Sequence, residues 1–291
     1  MKPIRPRRSA LYVPGSNPRA MAKAPTLGAD VVIFDLEDAV APSEKDAARE
    51  RVVEAVAALR QAGTSTEIVV RANGLDTPWI EADLAAVGAA RPDALLLPKI
   101  SRPDDLARVR ARIAADVALP LWAMIETPRA VLDPLAIAEA QDARLPLAVL
   151  VLGLNDLSRE TGVRQLPGRA PMLPWMMTAL AAARTAGIEI LDGVFNDIVD
   201  AAGFAAECLQ GRDCGFDGKT VIHPQQVAGA NAAFAPGPEE LAWAARIAPV
   251  FDLAENAGKG VLRVEGHMVE RLHADMAKRL LALAAAIAAK G

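Results

Sequence analysis

Short runs of almost wholly apolar residues recur along the chain at regular intervals. They cover Ala10–Val13, Val31–Leu36, Ile68–Arg71, Ala94–Leu97, Leu119–Ile125, Leu147–Leu152, Ile188–Leu191 and Thr220–Ile222. Because these runs do not alternate between apolar and polar residues, they predict parallel strands that are buried on both faces.

Stretches with apolar residues at helical spacing lie between these runs. They cover Ser43–Arg60, Pro78–Ala90, Pro103–Ala114, Pro128–Ala140, Leu173–Ala186, Asp197–Gln210 and Gln225–Phe234. Several open with proline in the first turn, where its missing N–H costs nothing. Eight strands alternating with helices predict an α/β fold, a (β/α)8 TIM barrel over residues 1–235. The alternative is an open doubly wound sheet, which is disfavoured because no glycine-rich nucleotide-binding motif follows any run.

The pattern changes after residue 235. Pro236 and Pro238 interrupt the chain, and Pro238–Gly258 predicts a long helix. A glycine-rich turn then leads to Val261–Val264 and to a final helix over His267–Ala289. We therefore predict a C-terminal helical extension over residues 236–291, which either caps the outside of its own barrel or reaches a neighbouring subunit.

Composition excludes several classes of protein. Of the 291 residues, 52% are hydrophobic and 23% charged, which rules out wholesale disorder. The net charge of −4 argues against a nucleic-acid partner. No apolar run reaches the roughly 18 residues of a membrane helix, so no membrane partner is expected. The two cysteines form no disulfide framework and the basic N-terminus opens no signal peptide, so we expect a cytoplasmic protein.

Polar residues follow most of the predicted strands at the same end. The segments are Asp35-Leu36-Glu37-Asp38, Arg71-Ala72-Asn73, Pro98-Lys99, Glu126-Thr127-Pro128, Gly153-Leu154-Asn155-Asp156 and Ile222-His223-Pro224. The carboxyl ends of the strands carry the active site of a TIM barrel. Converging charges are costly to bury unless they are paired or bind a ligand or metal. This convergence predicts the functional site.

Glu126 and Asp156 are the predicted metal ligands. They follow neighbouring strands, and no histidine or cysteine lies near them in the sequence. Mg²⁺ takes one or two protein carboxylates and completes its shell with water and substrate, so this pair suits Mg²⁺. The structural alternatives are a helix N-terminal charge for Glu126 and a helix cap or turn for Asp156.

Arg71 offers a rigid pair of N–H donors at the barrel mouth, which suits the carboxylate of a substrate. Alternatively it forms an ion pair with Glu37 or Asp38 that only neutralises the site, and both roles are compatible. Glu37 and Asp38 are candidates for binding water around the metal. Asp35 lies inside the strand, where it is either part of the site or a buried structural acid.

Lys99 and His223 allow more than one role. A lysine at a strand end can form a Schiff base if its pKa is lowered, but nearby carboxylates would raise that pKa. An ion pair or a phosphate contact is therefore the favoured role of Lys99. His223 is a candidate general base, a substrate or cofactor contact, or a residue that starts a helix.

The ordered set of motifs resembles the citrate lyase β-subunit-like group, which includes malyl-CoA lyases and belongs to the HpcH/HpaI aldolase superfamily. The motifs span residues 8–224 and begin with Arg8-Ser9-Ala10-Leu11-Tyr12-Val13-Pro14-Gly15 and Val32-Ile33-Phe34-Asp35-Leu36-Glu37-Asp38. Val70-Arg71-Ala72-Asn73, Leu97-Pro98-Lys99, Ile125-Glu126-Thr127-Pro128, Gly153-Leu154-Asn155-Asp156-Leu157 and Phe216-Asp217-Gly218-Lys219 follow in the family's order.

This resemblance implies a TIM barrel that binds Mg²⁺ through Glu126 and Asp156 and a substrate carboxylate through Arg71. It also implies acyl-CoA and 2-oxo acid substrates and a homotrimer or hexamer. Glu126 would contact substrate as well as metal, and Arg71, Glu37 and Asp38 would take part in catalysis. The residues assigned to the CoA cofactor are Arg19, Lys23, Lys99 and His223.

Two positions depart from the pattern of the relatives. Many of them carry a tail stretch of glycine, lysine, methionine, any residue and aspartate, whose aspartate acts as acid/base in a neighbouring subunit. This chain has Gly266-His267-Met268-Val269-Glu270, so Glu270 is the candidate acid/base. The sixth strand motif, Gly-Leu-Asn-Asp-Leu, is closer to that of 2-oxo-acid aldolases, which leaves the substrate open.

The function expected from the sequence is a Mg²⁺-dependent carbon–carbon lyase. It would cleave or form a 3-hydroxyacyl-CoA of the malyl-CoA or citramalyl-CoA type through a thioester enolate. The alternatives are a CoA-free pyruvate-type aldolase, an acyl-CoA thioester hydrolase, and a citrate lyase β-like subunit that needs acyl-carrier partners.

Overall fold

Eight parallel strands form a closed barrel in the computed structural model, which describes residues 4–290. The strands are β1 (Ser9–Pro14), β2 (Val31–Asp35), β3 (Glu67–Arg71), β4 (Ala94–Leu97), β5 (Leu121–Ile125), β6 (Leu147–Leu152), β7 (Glu189–Asp192) and β8 (Gly218–Val221). Each strand pairs with the next, and β8 pairs with β1. The predicted (β/α)8 barrel is therefore confirmed, and each apolar run overlaps one of the eight strands.

Helices connect the strands around the barrel. They are α1 (Pro18–Lys23), α2 (Lys45–Gln61), α3 (Ile80–Ala90), α4 (Pro103–Arg112), α5 (Pro128–Leu132), α6 (Pro134–Glu139), α7 (Leu154–Thr161), α8 (Leu173–Thr185), α9 (Ala201–Cys214) and α10 (Pro224–Ala233). Short 3₁₀ turns lie at Ala24–Leu27 and Pro42–Glu44. Helices α1 and α7 were not among the predicted helices.

Two predicted helices were wrong in their extent. The stretch Pro128–Ala140 is split because Pro134 has no N–H to continue the first helix, and Asp133 instead caps α6 through the backbone N–H of Ala136. The stretch predicted from Asp197 becomes helical only at Ala201. Asp197 accepts hydrogen bonds from the backbone N–H groups of Val199 and Asp200 in a turn, so the helix starts after it.

Alternate residues of the strands point into the barrel or towards the helices. Val31, Ile33, Val69 and Trp122 belong to the cluster inside the barrel, whereas Phe34 packs in the larger cluster beneath the helices. Both faces of the strands are therefore buried, which is why most of their residues are apolar.

The amino-terminal end of the barrel is closed by ion pairs around Arg7. Its guanidinium lies 2.7 Å from Glu67 and 2.6 Å from Glu189, and its Cζ lies 5.2 Å from the centroid of the Trp122 ring. Glu67 and Glu189 are the first residues of β3 and β7, so these contacts lie at the end opposite to the predicted site.

The chain divides into two compact units, and the barrel unit is Arg7–Phe234. The other contains residues 4–6 and 235–290, and comprises α11 (Pro238–Ile247), a 3₁₀ turn (Ala254–Asn256), β9 (Val261–Val264), β10 (His267–Glu270) and α12 (Arg271–Ala288). Within residues 4–290, no helix is both long enough and apolar enough to cross a membrane.

The extension differs from its predicted pattern in two places. The helix predicted over Pro238–Gly258 ends at Ile247, because Pro249 lacks the N–H that a further turn would need. The final helix begins at Arg271, not at His267. Residues 267–270 instead pair antiparallel with β9 through a two-residue turn, Glu265-Gly266, whose φ angles of 49° and 87° fit a type I′ hairpin.

Candidate active site at the barrel mouth

A cavity of about 340 Å³ opens at the carboxyl ends of the strands in the barrel unit. Its walls include Tyr12, Asp38, Arg71, Glu126 and Asp156, which come from different strand ends. The structure therefore brings together Arg71, Asp38 and both predicted metal ligands, as the sequence pattern predicted.

Arg71 is held by two acidic side chains before any ligand binds. Its Nε and Nη2 donate to the two carboxylate oxygens of Asp35 at 2.7 and 2.6 Å, and its Nη1 lies 2.9 Å from Glu37 Oε2. Asp35 and Arg71 are direct partners in the pairing of β2 with β3, so both side chains point into the barrel. The ion pair with Glu37 that the sequence allowed is thus present, and Asp35 forms the stronger, bidentate contact.

The charges around Arg71 shift one another's protonation. Burial alone would raise the pKa of Asp35, but the charge and hydrogen bonds of Arg71 outweigh it and lower that pKa below its ordinary value of 3.8. Burial raises the pKa of Glu37 despite the neighbouring cations. The Nζ of Lys99 contacts Glu37, and this contact outweighs burial and raises the pKa of Lys99. A raised pKa favours the ion-pair role of Lys99 over a Schiff base.

Glu126 presents one carboxylate oxygen that the protein does not satisfy. Its Oε1 accepts a hydrogen bond of 2.7 Å from the backbone N–H of Lys99, which has a left-handed φ of 55°. Its Oε2 is buried and has no hydrogen-bond partner among the described residues. Burial, followed by repulsion from Glu37 and Asp156, raises the pKa of Glu126 to about 8. A cation beside Oε2 would remove both costs.

The side chain of Glu126 occupies the space in which a side chain at position 153 would lie, so only glycine fits there. A Cβ atom at this position would lie 2.3 Å from Glu126 Oε2 and 2.4 Å from Glu126 Cβ. The φ of Gly153 is −107°, which any residue can adopt, so its side chain is excluded only by this contact. The glycine is needed for the position of the carboxylate.

Asp156 lies in the first turn of α7, one strand further around the barrel. Its Oδ1 is 2.6 Å from Nη2 of Arg159, an exposed side chain that can move away at little cost. No group of three or more histidine, cysteine, aspartate or glutamate side chains within residues 4–290 is arranged to hold a metal. Two carboxylates are nevertheless sufficient for Mg²⁺, which retains water ligands, so Glu126 and Asp156 fit this ion.

Sequence reasoning missed the buried residues that fix the site loops. The Nζ of Lys45 donates to the backbone oxygens of Leu36 and Glu37 at 2.6 and 2.7 Å and to Asn73 Oδ1 at 2.7 Å. Asn73 in turn donates to Asp83. These bonds join the loop after β2, which carries Glu37, to the loop after β3, which begins just beyond Arg71. No sequence signal marked Lys45, because a lysine in the first turn of an amphipathic helix normally faces solvent.

Apart from Asp38, the remaining predicted site residues are not among those that line the cavity. Arg19 and Lys23 are exposed on α1, and Asp38 is exposed at the cavity. His223 is the residue that caps α10, where its Nδ1 accepts from the backbone N–H of Gln225 at 3.3 Å. Glu270 ends β10 in the second unit. The catalytic and CoA-binding roles given to these residues stay predictions.

Comparison with known proteins agrees with the motifs. Residues 8–224 match the HpcH/HpaI aldolase/citrate lyase family. A (3S)-malyl-CoA thioesterase of Cereibacter sphaeroides is 48% identical over 284 residues, which cover 98% of this chain and 96% of that protein. Citrate lyase subunit beta of Leuconostoc mesenteroides subsp. cremoris is 34% identical over 286 residues, covering 96% of this chain and 93% of that protein.

A solved structure resembles the whole chain. The CitE protein of Mycobacterium tuberculosis, in complex with magnesium, acetoacetate and coenzyme A, superposes with a TM-score of 0.76 at 29% identity. The match covers 95% of this chain and 97% of that one. The resemblance drawn from the motifs is therefore confirmed, and this chain belongs to the HpcH/HpaI aldolase/citrate lyase family.

Proposed function

We propose that this chain is a Mg²⁺-dependent enzyme that hydrolyses the thioester of (3S)-malyl-CoA or of a closely similar 3-hydroxyacyl-CoA. The observation that carries this proposal is the 48% identity to a protein named (3S)-malyl-CoA thioesterase, which extends over 98% of this chain. The sequence pattern favoured a lyase and gave the hydrolase as an alternative. The identity to citrate lyase subunit beta is 34%.

Glu126 and Asp156 would hold the metal at one wall of the cavity. A Mg²⁺ ion held by these two carboxylates would supply a Lewis acid for an oxygen of the acyl group. The buried, unsatisfied Oε2 of Glu126 supports this position for the metal.

Arg71 would bind the free carboxylate of the malyl group. Asp35 and Glu37 hold its guanidinium in one orientation, so little side-chain freedom is lost on binding. These contacts use some of the N–H groups of the guanidinium. The others are available to a ligand, because Arg71 lies at the cavity wall. Arg71 therefore combines the two roles that the sequence allowed.

Asp38 would accept the proton of the attacking water. Glu37 is engaged by Arg71 and Lys99, whereas Asp38 is exposed and lines the cavity. A carboxylate in contact with solvent is the group of this pair that can take up a proton and return it to water.

The direct test is an assay of the purified full chain with (3S)-malyl-CoA and Mg²⁺. Hydrolysis releases free CoA thiol and malate, whereas carbon–carbon cleavage releases glyoxylate and acetyl-CoA without free thiol. Thiol release without glyoxylate, abolished by a chelator and restored by Mg²⁺, is the expected result. An intact substrate would refute the proposal.

Carbon–carbon cleavage is the second candidate. It is favoured by the family and by the match to citrate lyase subunit beta. Formation of glyoxylate in the same assay would establish it. Cleavage of a free 4-hydroxy-2-oxo acid would instead indicate a CoA-free aldolase, and activity only with acyl-carrier partners would indicate a lyase subunit.

We further propose that the extension over residues 236–291 packs against a neighbouring subunit in a homotrimer or hexamer and presents Glu270 there. Met268, Leu272 and Met276 are more than half exposed on β10 and α12. An apolar surface of this kind is typical of a protein interface.

A further inference from the structure

Tyr12, the one tyrosine of the chain, lies in β1 beside the proposed carboxylate site. The Arg71 Cζ is 4.8 Å from the centroid of its ring, which is within the range of a cation–π contact. Tyr12 lines the same cavity as Arg71, Met124 and Glu126. The ring of Tyr12 thus makes a cation–π contact with Arg71. This contact does not involve the hydroxyl group of Tyr12.

The hydroxyl group has a weak partner. Among the described residues, the Tyr12 hydroxyl donates only to Met124 Sδ, at 3.9 Å. The same sulfur atom lies 3.7 Å from Nη1 of Arg71. A thioether is a weak acceptor, so two strong donors share an atom that satisfies neither of them well. Tyr12 is half-buried at the cavity wall, where its hydroxyl is better satisfied by a stronger acceptor than by the sulfur atom.

Among the described residues, no carboxylate accepts a hydrogen bond from the Tyr12 hydroxyl, although Oε2 of Glu37 and Oε2 of Glu126 both lack a hydrogen-bond partner. Asp35 takes two hydrogen bonds from Arg71, and Glu37 contacts both Arg71 and Lys99. Burial also raises the pKa of Tyr12 above its ordinary value, which keeps the hydroxyl protonated and able to donate. Tyr12 lines the cavity, so a ligand bound there can supply the better acceptor, and the adjacent guanidinium selects an anionic one.

We propose that Tyr12 is a substrate-binding residue whose hydroxyl donates a hydrogen bond to a carboxylate oxygen of the acyl group, beside Arg71. This inference rests on the proposed function and adds a second donor to its carboxylate site. It also makes Tyr12 a determinant of specificity, because an acyl-CoA without a free carboxylate cannot use this bond.

The test compares the wild-type chain with Tyr12→Phe, which keeps the ring against Arg71 and removes only the hydroxyl. Binding of malate in the presence of Mg²⁺ is measured by calorimetry, with acetyl-CoA as the control ligand because it has no free carboxylate. A lost hydrogen bond to a charged group weakens malate binding by about ten- to a hundredfold. Acetyl-CoA should bind both proteins equally well.

The KM for malyl-CoA should rise in Tyr12→Phe by a similar factor, and the thermal midpoint should stay close to that of the wild type. Equal affinity of the two proteins for malate overturns the role of Tyr12, as does an equal loss of malate and acetyl-CoA binding. If the wild-type chain turns over malyl-CoA and Tyr12→Phe does so with the same KM, this inference alone is overturned. A wild-type chain that neither binds malate nor turns over malyl-CoA overturns the proposed function as well.

Discussion

Replacing Gly153 by alanine should disable the metal site without disturbing the fold elsewhere. The added Cβ would lie 2.3 Å from Oε2 and 2.4 Å from Cβ of Glu126, whereas real contacts of a Cβ atom are essentially never below 3.0 Å. The carboxylate must therefore move by at least 0.7 Å. Rotation of the carboxyl group cannot relieve the clash, because Cβ of Glu126 is attached directly to the backbone.

The displacement sets the size of the expected effect. A shift of about 1 Å in a positioned group can cost on the order of a hundredfold in rate, and overpacking a buried site costs about 1–3 kcal/mol of stability. We expect Gly153→Ala to weaken Mg²⁺ binding and to lower kcat/KM by about a hundredfold. The measurements are calorimetric titration with Mg²⁺ and the malyl-CoA assay over a range of Mg²⁺ concentrations.

Gly74→Ala is the matched control for this prediction. It lies in the loop after β3, and a Cβ there would meet its nearest neighbour, Thr77, at an ordinary 3.7 Å. This variant should bind Mg²⁺ like the wild type. If Gly153→Ala also retains native Mg²⁺ affinity and activity, then the position of the Glu126 carboxylate does not determine metal binding, and the reasoning is refuted.

Three further predictions test the site and the extension. Arg71→Lys keeps the charge but loses the paired donors that bind Asp35, so kcat/KM should fall about ten- to a hundredfold, and a near-native value would show that Arg71 only neutralises charge. The pKa of Asp35 is lowered in the folded state, so its ion pair adds stability above pH 3.8 that is lost as the pH falls through the folded-state pKa. Asp35→Asn should therefore flatten the acid side of the curve of unfolding free energy against pH, and an unchanged slope would contradict this assignment. Mixing the inactive variants Glu270→Gln and Asp156→Asn should restore activity if the extension serves a neighbouring barrel, whereas no recovery after verified subunit exchange would show that it does not.

Local sequence determined the architecture of the barrel. Each strand is buried on both faces, so most of its residues must be apolar, and this requirement is visible in a single segment such as Val31–Leu36. The end of the barrel that carries the chemistry was equally visible, because polar and charged residues such as Glu126 and Asp156 follow most of the strands at their carboxyl ends. The errors arose where one residue overrode the periodicity, as Pro134 does between α5 and α6.

The partners of the site residues were decided only by the tertiary structure. The sequence placed Asp35 and Arg71 in separate strands, and the pairing of β2 with β3 makes them direct neighbours. The burial of Lys45 and the space beside Gly153 likewise depend on segments that are distant in the chain. The periodicity of a segment reports which of its faces is buried, but contacts between segments depend on strand register and packing, which only the folded barrel fixes.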